Sequence, residues 1–323
     1  MNRSAIRRQT IAEAAAPPPV ETASDHIHER VMLGLALRLI AVAGLATMSA
    51  LIKLAENRGA NLVETMFFRQ AWAAVLIFGI VLTGPGVSSL RTLRFGAHVR
   101  RTAVGLVGMV ATFGAVLLLP LADATTLQFT VPIFGTLLGA LVLGEHVGIH
   151  RWAAVIVGFI GVLIVTQPGT GALPLGGAVV GLVAAMFVAL VAILLRQIGR
   201  TESALTTVFW FSVLSIPPLG IAYLLNFQQH DALTWAILVG VGLIGGLAQL
   251  ALTAAVRHAP VSTVIPMDYS SLFWGTLYGW LLFGTLPGWG TVIGAPVIVA
   301  SGLYIVWREQ VRRRPVTTEA VSA

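Results

Sequence analysis

Apolar runs long enough to cross a membrane follow one another through this sequence, with only short polar breaks between them. Spans are expected near residues 33–52, 62–83, 102–119, 123–143, 151–167, 175–195, 204–225, 233–255, 261–283 and 289–307. Crossing the hydrocarbon takes about 20 apolar residues in a helix, because lipid offers no partner to a free backbone N–H or C=O. A soluble domain is about 25% charged. Here 10% of the residues are charged and 57% are hydrophobic. The expectation is an all-α membrane protein with ten transmembrane helices, set in a cytoplasmic (inner) membrane and solvated by the lipid bilayer.

The breaks have their own chemistry. "TGPGVSSLRTLR" after the second span mixes turn formers with charge, and "QPGTGALP" divides the fifth span from the sixth. Pro217 and Pro218 fall inside the seventh span and are expected to kink it. Residues 1–30 are polar, carry "APPPV" and lack the apolar run of a cleavable signal, so they read as a disordered cytoplasmic tail. Residues 309–323 read as a second tail. Disulfides, thiolate metal sites and cysteine nucleophiles are excluded, since there is no cysteine.

A net charge of +7 could mean nucleic acid, but the basic residues are placed by topology instead. With the N-terminus in the cytoplasm, 16 of the 20 Lys and Arg residues fall in cytoplasmic segments, Arg100 and Arg101 among them. Only Lys53 and Arg58 fall on the opposite side, while Arg38 and Arg69 lie within spans. That bias puts both termini inside and requires an even number of spans.

The chain also repeats itself. "GTLLGALVLG" at 135–144 aligns with "GTLYGWLLFG" at 275–284, six of ten positions matching at an offset of 140. The same offset pairs Gly105 with Gly245, Pro120 with Pro260 and Gln128 with Asp268. Two five-helix repeats are expected, 31–170 and 171–308. Five is odd, so the second must be inverted in the membrane, the arrangement of secondary transporters with a central solute site. Gly135/Gly139 and Gly275/Gly279 have the spacing at which helix backbones approach closely.

With "FFRQ" in the second span, "PLADATTLQFTVPIFGTLLGALVLGEHVGIHRW" at 120–152 and "APVSTVIPMDYSSLFWGTLYGWLLFG" at 259–284, the chain resembles the ten-helix EamA-type carriers of the drug/metabolite transporter superfamily, from about residue 32 to 308. The resemblance implies a cavity between inverted halves and alternating access. Glu64 and Arg69 together with "PMDY" look most like the branch of riboflavin and S-adenosylmethionine importers. One departure stands out: "LGEHV" in the first half faces "FGTLP" in the second, with Thr285 where the acid would be.

Ionisable groups inside spans cost about 2.5–3.5 kcal/mol at a helix centre and usually face a partner or a cavity. Arg69 lies roughly 12 Å into its span, and no acid occupies its same-face neighbours. It needs a counter-charge from another helix or from a substrate. Asp268 is the natural complement, with Gln128 as its repeat mate and Pro266 loosening the helix beside it. Glu64 is expected to guard the cavity. Trp72, Tyr269 and Trp274 could supply stacking surfaces, although aromatics in spans more often pack. Asp123 and Thr263 read as N-caps. Glu145, His146, His150 and Arg151 read as solvated loop and cap groups. Trp152, Trp235, Trp289 and Trp307 fit an interfacial belt.

No histidine–acid spacing makes a metal site, no phosphate loop points to ATP drive, and no cofactor is expected. No nucleophile–base set or metal cluster is apparent at membrane depth, which counts against an intramembrane enzyme; a purely structural subunit of a larger transporter is a third reading, which transport by the purified protein alone would dismiss. The expected function is secondary transport of a small organic metabolite, with riboflavin-like uptake as the first reading. Efflux of amino-acid-like metabolites or drugs, or S-adenosylmethionine transport, is the alternative. The expected partners are a small-molecule substrate and the bilayer, with a homodimer left open and no nucleic acid.

Overall fold

A computed structural model describes residues 23–313 apart from 142–143, 145–147, 171–172, 200 and 259–264. Its elements are α1 (Ala23–Asn57), α2 (Leu62–Thr83), a 3₁₀ turn (Val87–Leu90), α3 (Phe95–Leu118), α4 (Leu121–Gln128), α5 (Val131–Leu141), α6 (Ile149–Thr166), α7 (Leu175–Ile198), α8 (Ala204–Leu225), α9 (Ala232–His258), a 3₁₀ turn (Ile265–Tyr269), α10 (Ser270–Phe283) and α11 (Trp289–Arg313). Among the described residues, nine helical segments are long and apolar enough to cross a membrane, with α4 and α5 counted as one. The 3₁₀ turn at 265–269 with α10 makes the tenth span, so the fold is an all-α, ten-span membrane protein.

Starts and stops follow local chemistry. α2 opens on a capping box: Asn61 Oδ1 accepts from Glu64 N at 2.9 Å, and Glu64 Oε2 accepts from Asn61 N at 2.9 Å. α8 opens on Ser203, whose hydroxyl accepts from Thr206 N, and it continues as helix through Pro217 and Pro218.

Three expectations are corrected here. Residues 23–30 and 309–313, read as tail, are helical extensions of α1 and α11; residues 1–22 and 314–323 lie outside the described residues. α3 begins at Phe95, seven residues before the apolar run. His98, Arg101, Thr102 and Gly105 recur on its buried side while Phe95, Val99 and Arg100 face out, so a helical stripe continues through polar residues. Asp123 is not an N-cap: its carboxylate accepts from Thr291 on α11. Thr263 lies outside the described residues.

Helix neighbours obey the repeat. Under the 140-residue offset α1 corresponds to α7, α2 to α8 and α3 to α9. α1 packs along α9, and its image α7 packs along α3. α2 touches α9 as α8 touches α3. α2 meets its own image α8, and α6 meets its own image α11, so these pairs straddle the pseudo-twofold axis. Phe129 and Tyr269 are repeat mates, and their rings meet edge to face at 5.0 Å.

Both repeats break the same span. α4 stops at Gln128 and α5 starts at Val131, just before Pro132; in the second half the 3₁₀ turn ends at Tyr269, beside Pro266. Pro132 withholds an N–H and clashes with the turn before it, which gives the first break a covalent cause; Pro266 lies within the 3₁₀ turn of the second. Glycines set the closest approaches. A Cβ at Gly242 on α9 would stand 2.4 Å from Trp72 Cβ, one at Gly275 2.9 Å from Thr125 Oγ1, and one at Gly294 2.8 Å from Gly161 O. A Cβ at Gly135 would meet nothing within 4 Å.

Candidate functional site

The polar core lies where α2, α3 and α8 meet against α9. Arg69 is 9% exposed on α2. Its Nη1 donates to Gln70 Oε1 at 2.6 Å and lies 3.9 Å from Met109 Sδ on α3. Gln70 is held in turn, its Nε2 donating to Ser215 Oγ on α8 at 3.0 Å. Arg101 on α3 is 6% exposed, with its guanidinium carbon 3.6 Å from the centre of the Phe211 ring on α8. The guanidinium of Arg69 stands 5.8 Å from the centre of the same ring. Repeat mates Gly105 and Gly245 permit close approach here. A Cβ at Gly105 would lie 2.9 Å from Phe211 Cε2 and 3.4 Å from Arg101 Nη1, and one at Gly245 would lie 2.5 Å from Met48 Sδ and 3.8 Å from Arg69 Cγ.

Asp268 is not the complement of Arg69. Its two oxygens take Arg38 Nε at 2.6 Å and Arg38 Nη2 at 2.5 Å, a bidentate pair between α1 and the 3₁₀ turn. Two parallel N–H···O bonds fix both side chains in one plane. Asp268 thus meets Arg38 and not the other in-span arginine, because a linear pattern gives depth but not which helix is adjacent. Among the described residues no acid pairs with Arg69 or Arg101.

Glu64 sits elsewhere, fully buried at the start of α2. Besides the capping box, its Oε1 accepts from Gln228 N at 3.1 Å, and its Oε2 lies 3.0 Å from His230 Nε2. Nearby, Arg58 Nη2 donates to Asp231 Oδ2 at 2.5 Å and Asn61 Nδ2 to Asn226 O at 3.1 Å. The α1–α2 and α8–α9 connections are thus latched together at one end of the bundle. The opposite end carries the repeat image of this latch. Thr92 donates to Glu202 at 2.7 Å, Arg94 Nη1 to Gln197 O at 2.9 Å, Thr206 to Ser89 O at 2.9 Å and Trp210 Nε1 to Leu90 O at 3.0 Å. Asp231 is held down to about 2, by the hydroxyl and backbone N–H of Thr234 and then by Arg58, so its charge persists through ordinary acid.

The remaining expected residues are spread out. Trp72 seats its base against Gly242 and braces α2 on α9. Tyr269 packs on Phe129 and directs its hydroxyl toward Gly302 of α11. Trp274 lies against Phe273 at 5.2 Å and Tyr278 at 6.2 Å. Gln128 is at the α4–α5 break, its Nε2 without a partner among the described residues. Of the tryptophans expected at the interface, Trp289 and Trp307 are exposed, while Trp235 is turned in among Phe68, Phe227 and His230. Glu145 and His146 lie outside the described residues. Sequence reasoning missed Arg101, His98, Phe211 and His230. The i, i+3 spacing of His98 and Arg101 ahead of Gly105 was the available signal, and ending the span at the first arginine hid it.

The sequence pattern of the EamA-like transporter family matches residues 32–167 and again 175–307. A riboflavin transporter of Vibrio cholerae is 32% identical over 250 residues, 76% of this chain and 83% of that protein. A pseudopaline exporter of Pseudomonas aeruginosa is 28% identical over 275 residues, 81% of this chain and 93% of that protein. A solved crystal structure superposes with a TM-score of 0.56 at 17% identity, covering 88% of this chain and 99% of the other, and so shares the fold.

Proposed function

This chain belongs to the EamA-like transporter family and is a small-molecule transporter of the membrane, and on that premise we propose that it is a secondary carrier working by alternating access, with uptake of a flavin-like solute as its first assignment. The observation that carries the mechanism is the pair of latches. They sit at opposite ends of one bundle, join repeat-related connections, and leave the polar core between them. Inverted repeats have two equivalent packings, so releasing one latch while the other holds would open the core to one side at a time. The riboflavin transporter of Vibrio cholerae supports the flavin assignment.

In this reading Arg69 contacts solute at the core, Glu64 controls access at one end, and Gln128, Trp72, Tyr269 and Trp274 shape the surrounding wall. The basic residues orient the chain with both termini in the cytoplasm. Moving Arg101 from loop to helix leaves the sign of that bias unchanged. Purified protein in liposomes should accumulate riboflavin, and a riboflavin auxotroph should grow when it is expressed. Failure of both would remove riboflavin and leave the carrier assignment standing. A second reading, export, is favoured by one observation. The pseudopaline exporter aligns over 93% of its length, so the shared architecture serves outward movement as well.

A further inference from the structure

We infer that Arg69 and Arg101, sharing the Phe211 ring, form an anion-binding site, and that the solute moved by this carrier bears a carboxylate or phosphate group. The inference rests on the carrier assignment and departs from riboflavin itself, which bears neither group; a phosphorylated flavin or another acidic metabolite would meet it.

Two buried cations share one ring. Each is more than nine-tenths buried, and among the described residues neither has an acidic partner. Among the described residues they meet only soft compensation: the face of Phe211, the sulfur of Met109 and the amide oxygen of Gln70. A ring quadrupole or a thioether does not neutralise a guanidinium, and burying two like charges side by side is costly unless an opposite charge joins them. Two other arginines carry acidic partners: Arg38 has Asp268 and Arg58 has Asp231. Among the described residues Arg69 and Arg101 have none, although both are buried.

The unused donors point the same way. Arg69 Nε, Arg101 Nε and Nη1, His98 Nδ1 and Nε2, Thr102 Oγ1 and Ser212 Oγ are all buried without a partner among the described residues. His98 precedes Arg101 by one turn, and Ser212 follows Phe211. These five side chains come from α2, α3 and α8. Buried polar groups are nearly always satisfied, so a concentration of unsatisfied donors at one junction marks where something else supplies acceptors. An oxyanion has several acceptor sites and would meet both planar forks, as Arg does when it grips carboxylate or phosphate. Glycine at both repeat-related positions, 105 and 245, lets Phe211 and Met48 pack close beside the two arginines.

The test uses the full-length protein in nanodiscs of zwitterionic lipid only. Melting and binding are compared for matched pairs: riboflavin with riboflavin 5′-phosphate, and benzamide with benzoate, together with inorganic phosphate. The anionic members should stabilise the protein and half-saturate at about tenfold lower concentration than their neutral partners. Arg69→Met and Arg101→Met should each abolish that preference, and Arg101→Lys should keep part of it. With no solute present, the Met variants should melt no lower than the parent, because they remove an unpaired buried charge. Equal binding of neutral and anionic members, a preference that survives both Met variants, or no shift with any of the three anions would overturn the inference. A shift seen only when anionic lipid is added would assign the site to a headgroup and overturn the solute claim. Anion binding without flux in liposomes would fault the carrier assignment and leave the site intact.

Discussion

Asp268 takes both of its strong hydrogen bonds from Arg38, across 230 residues of sequence, and in doing so ties the 3₁₀ turn of the second repeat to α1. The pair is a strut. Arg38 is largely buried, whereas Asp268 keeps about a third of its surface, so removal of either partner should cost about 1–2 kcal/mol rather than the larger penalty of a fully buried pair. Arg38→Met and Asp268→Asn should each lower the amount of protein in the membrane, and the double variant should recover much of it, because neutral groups of similar size carry no charge-burial cost. Arg69→Met combined with Asp268→Asn should show no such recovery. Recovery in that second combination would mean that Asp268 exchanges between the two arginines.

The latches make a kinetic prediction. The natural chain has no cysteine, so pairs of cysteines can be introduced into it directly. A short crosslinker joined through disulfides between Asn61→Cys and Asn226→Cys, or between Thr92→Cys and Glu202→Cys, should stop transport, and reductive cleavage should restore it. Transport by the fully crosslinked protein would remove these connections from the cycle. Arg58–Asp231 should survive acid better than most surface pairs. The Asp231 carboxyl is depressed to about 2, so its contribution is present above the ordinary carboxylate range and is lost only as pH falls toward that value.

Orientation is checked by labelling. Single cysteines at Thr170 and Asp231 should react with an impermeant reagent from outside the cell, and those at Ser89 and Thr201 should not. The reverse pattern would invert the whole assignment.

How far the sequence reaches differs between the fold and the site. Span positions were legible because composition and length alone define them, and α2 and α8 start and stop where expected: their caps are spelled in Asn61, Glu64 and Ser203. The repeat was legible from glycines and prolines, whose roles depend on backbone geometry. Partners were not legible. Arg69, Arg38 and Asp268 all announce themselves as in-span charges, but which helix faces which is a property of packing. Arg101 was hidden for a different reason: the reading took charge as a sign of loop, and here charge lies on the inner face of a helix end.

Glycine positions give a graded test of packing. At Gly242 an added Cβ would meet Trp72 Cβ at 2.4 Å and Phe68 O at 2.6 Å, the latter backbone that cannot swing aside. Gly242→Ala should therefore lose about 1–3 kcal/mol through overpacking between α2 and α9. At Gly135 nothing lies within 4 Å, and Gly135→Ala should gain about 0.5–1 kcal/mol from helix propensity. Thermal melting in detergent reads both, and equal effects at the two sites would argue against this α2–α9 contact.

Glu64 separates access from binding. Its carboxylate serves Asn61 N, Gln228 N and His230 at once, all at the end of the bundle where α2 begins. Glu64→Ala would strand these groups in a buried place and should cost about 3 kcal/mol. Glu64→Gln is the finer probe. It keeps an oxygen acceptor and the length of the side chain, and gives up the charge that favours a helix N-terminus and its histidine partner, so the loss of stability should be near 1 kcal/mol. If Glu64 governs opening, the Gln variant should hold solute with unchanged affinity while turnover shifts severalfold and a reporter cysteine at Asn226 becomes more reactive. If Glu64 contacts the solute, affinity should fall with turnover and the reporter should stay as it was. Arg69→Met provides the contrast, since it should lose affinity and leave the reporter unchanged. Loss of affinity in Glu64→Gln without a change at Asn226 would move Glu64 from the latch to the binding site.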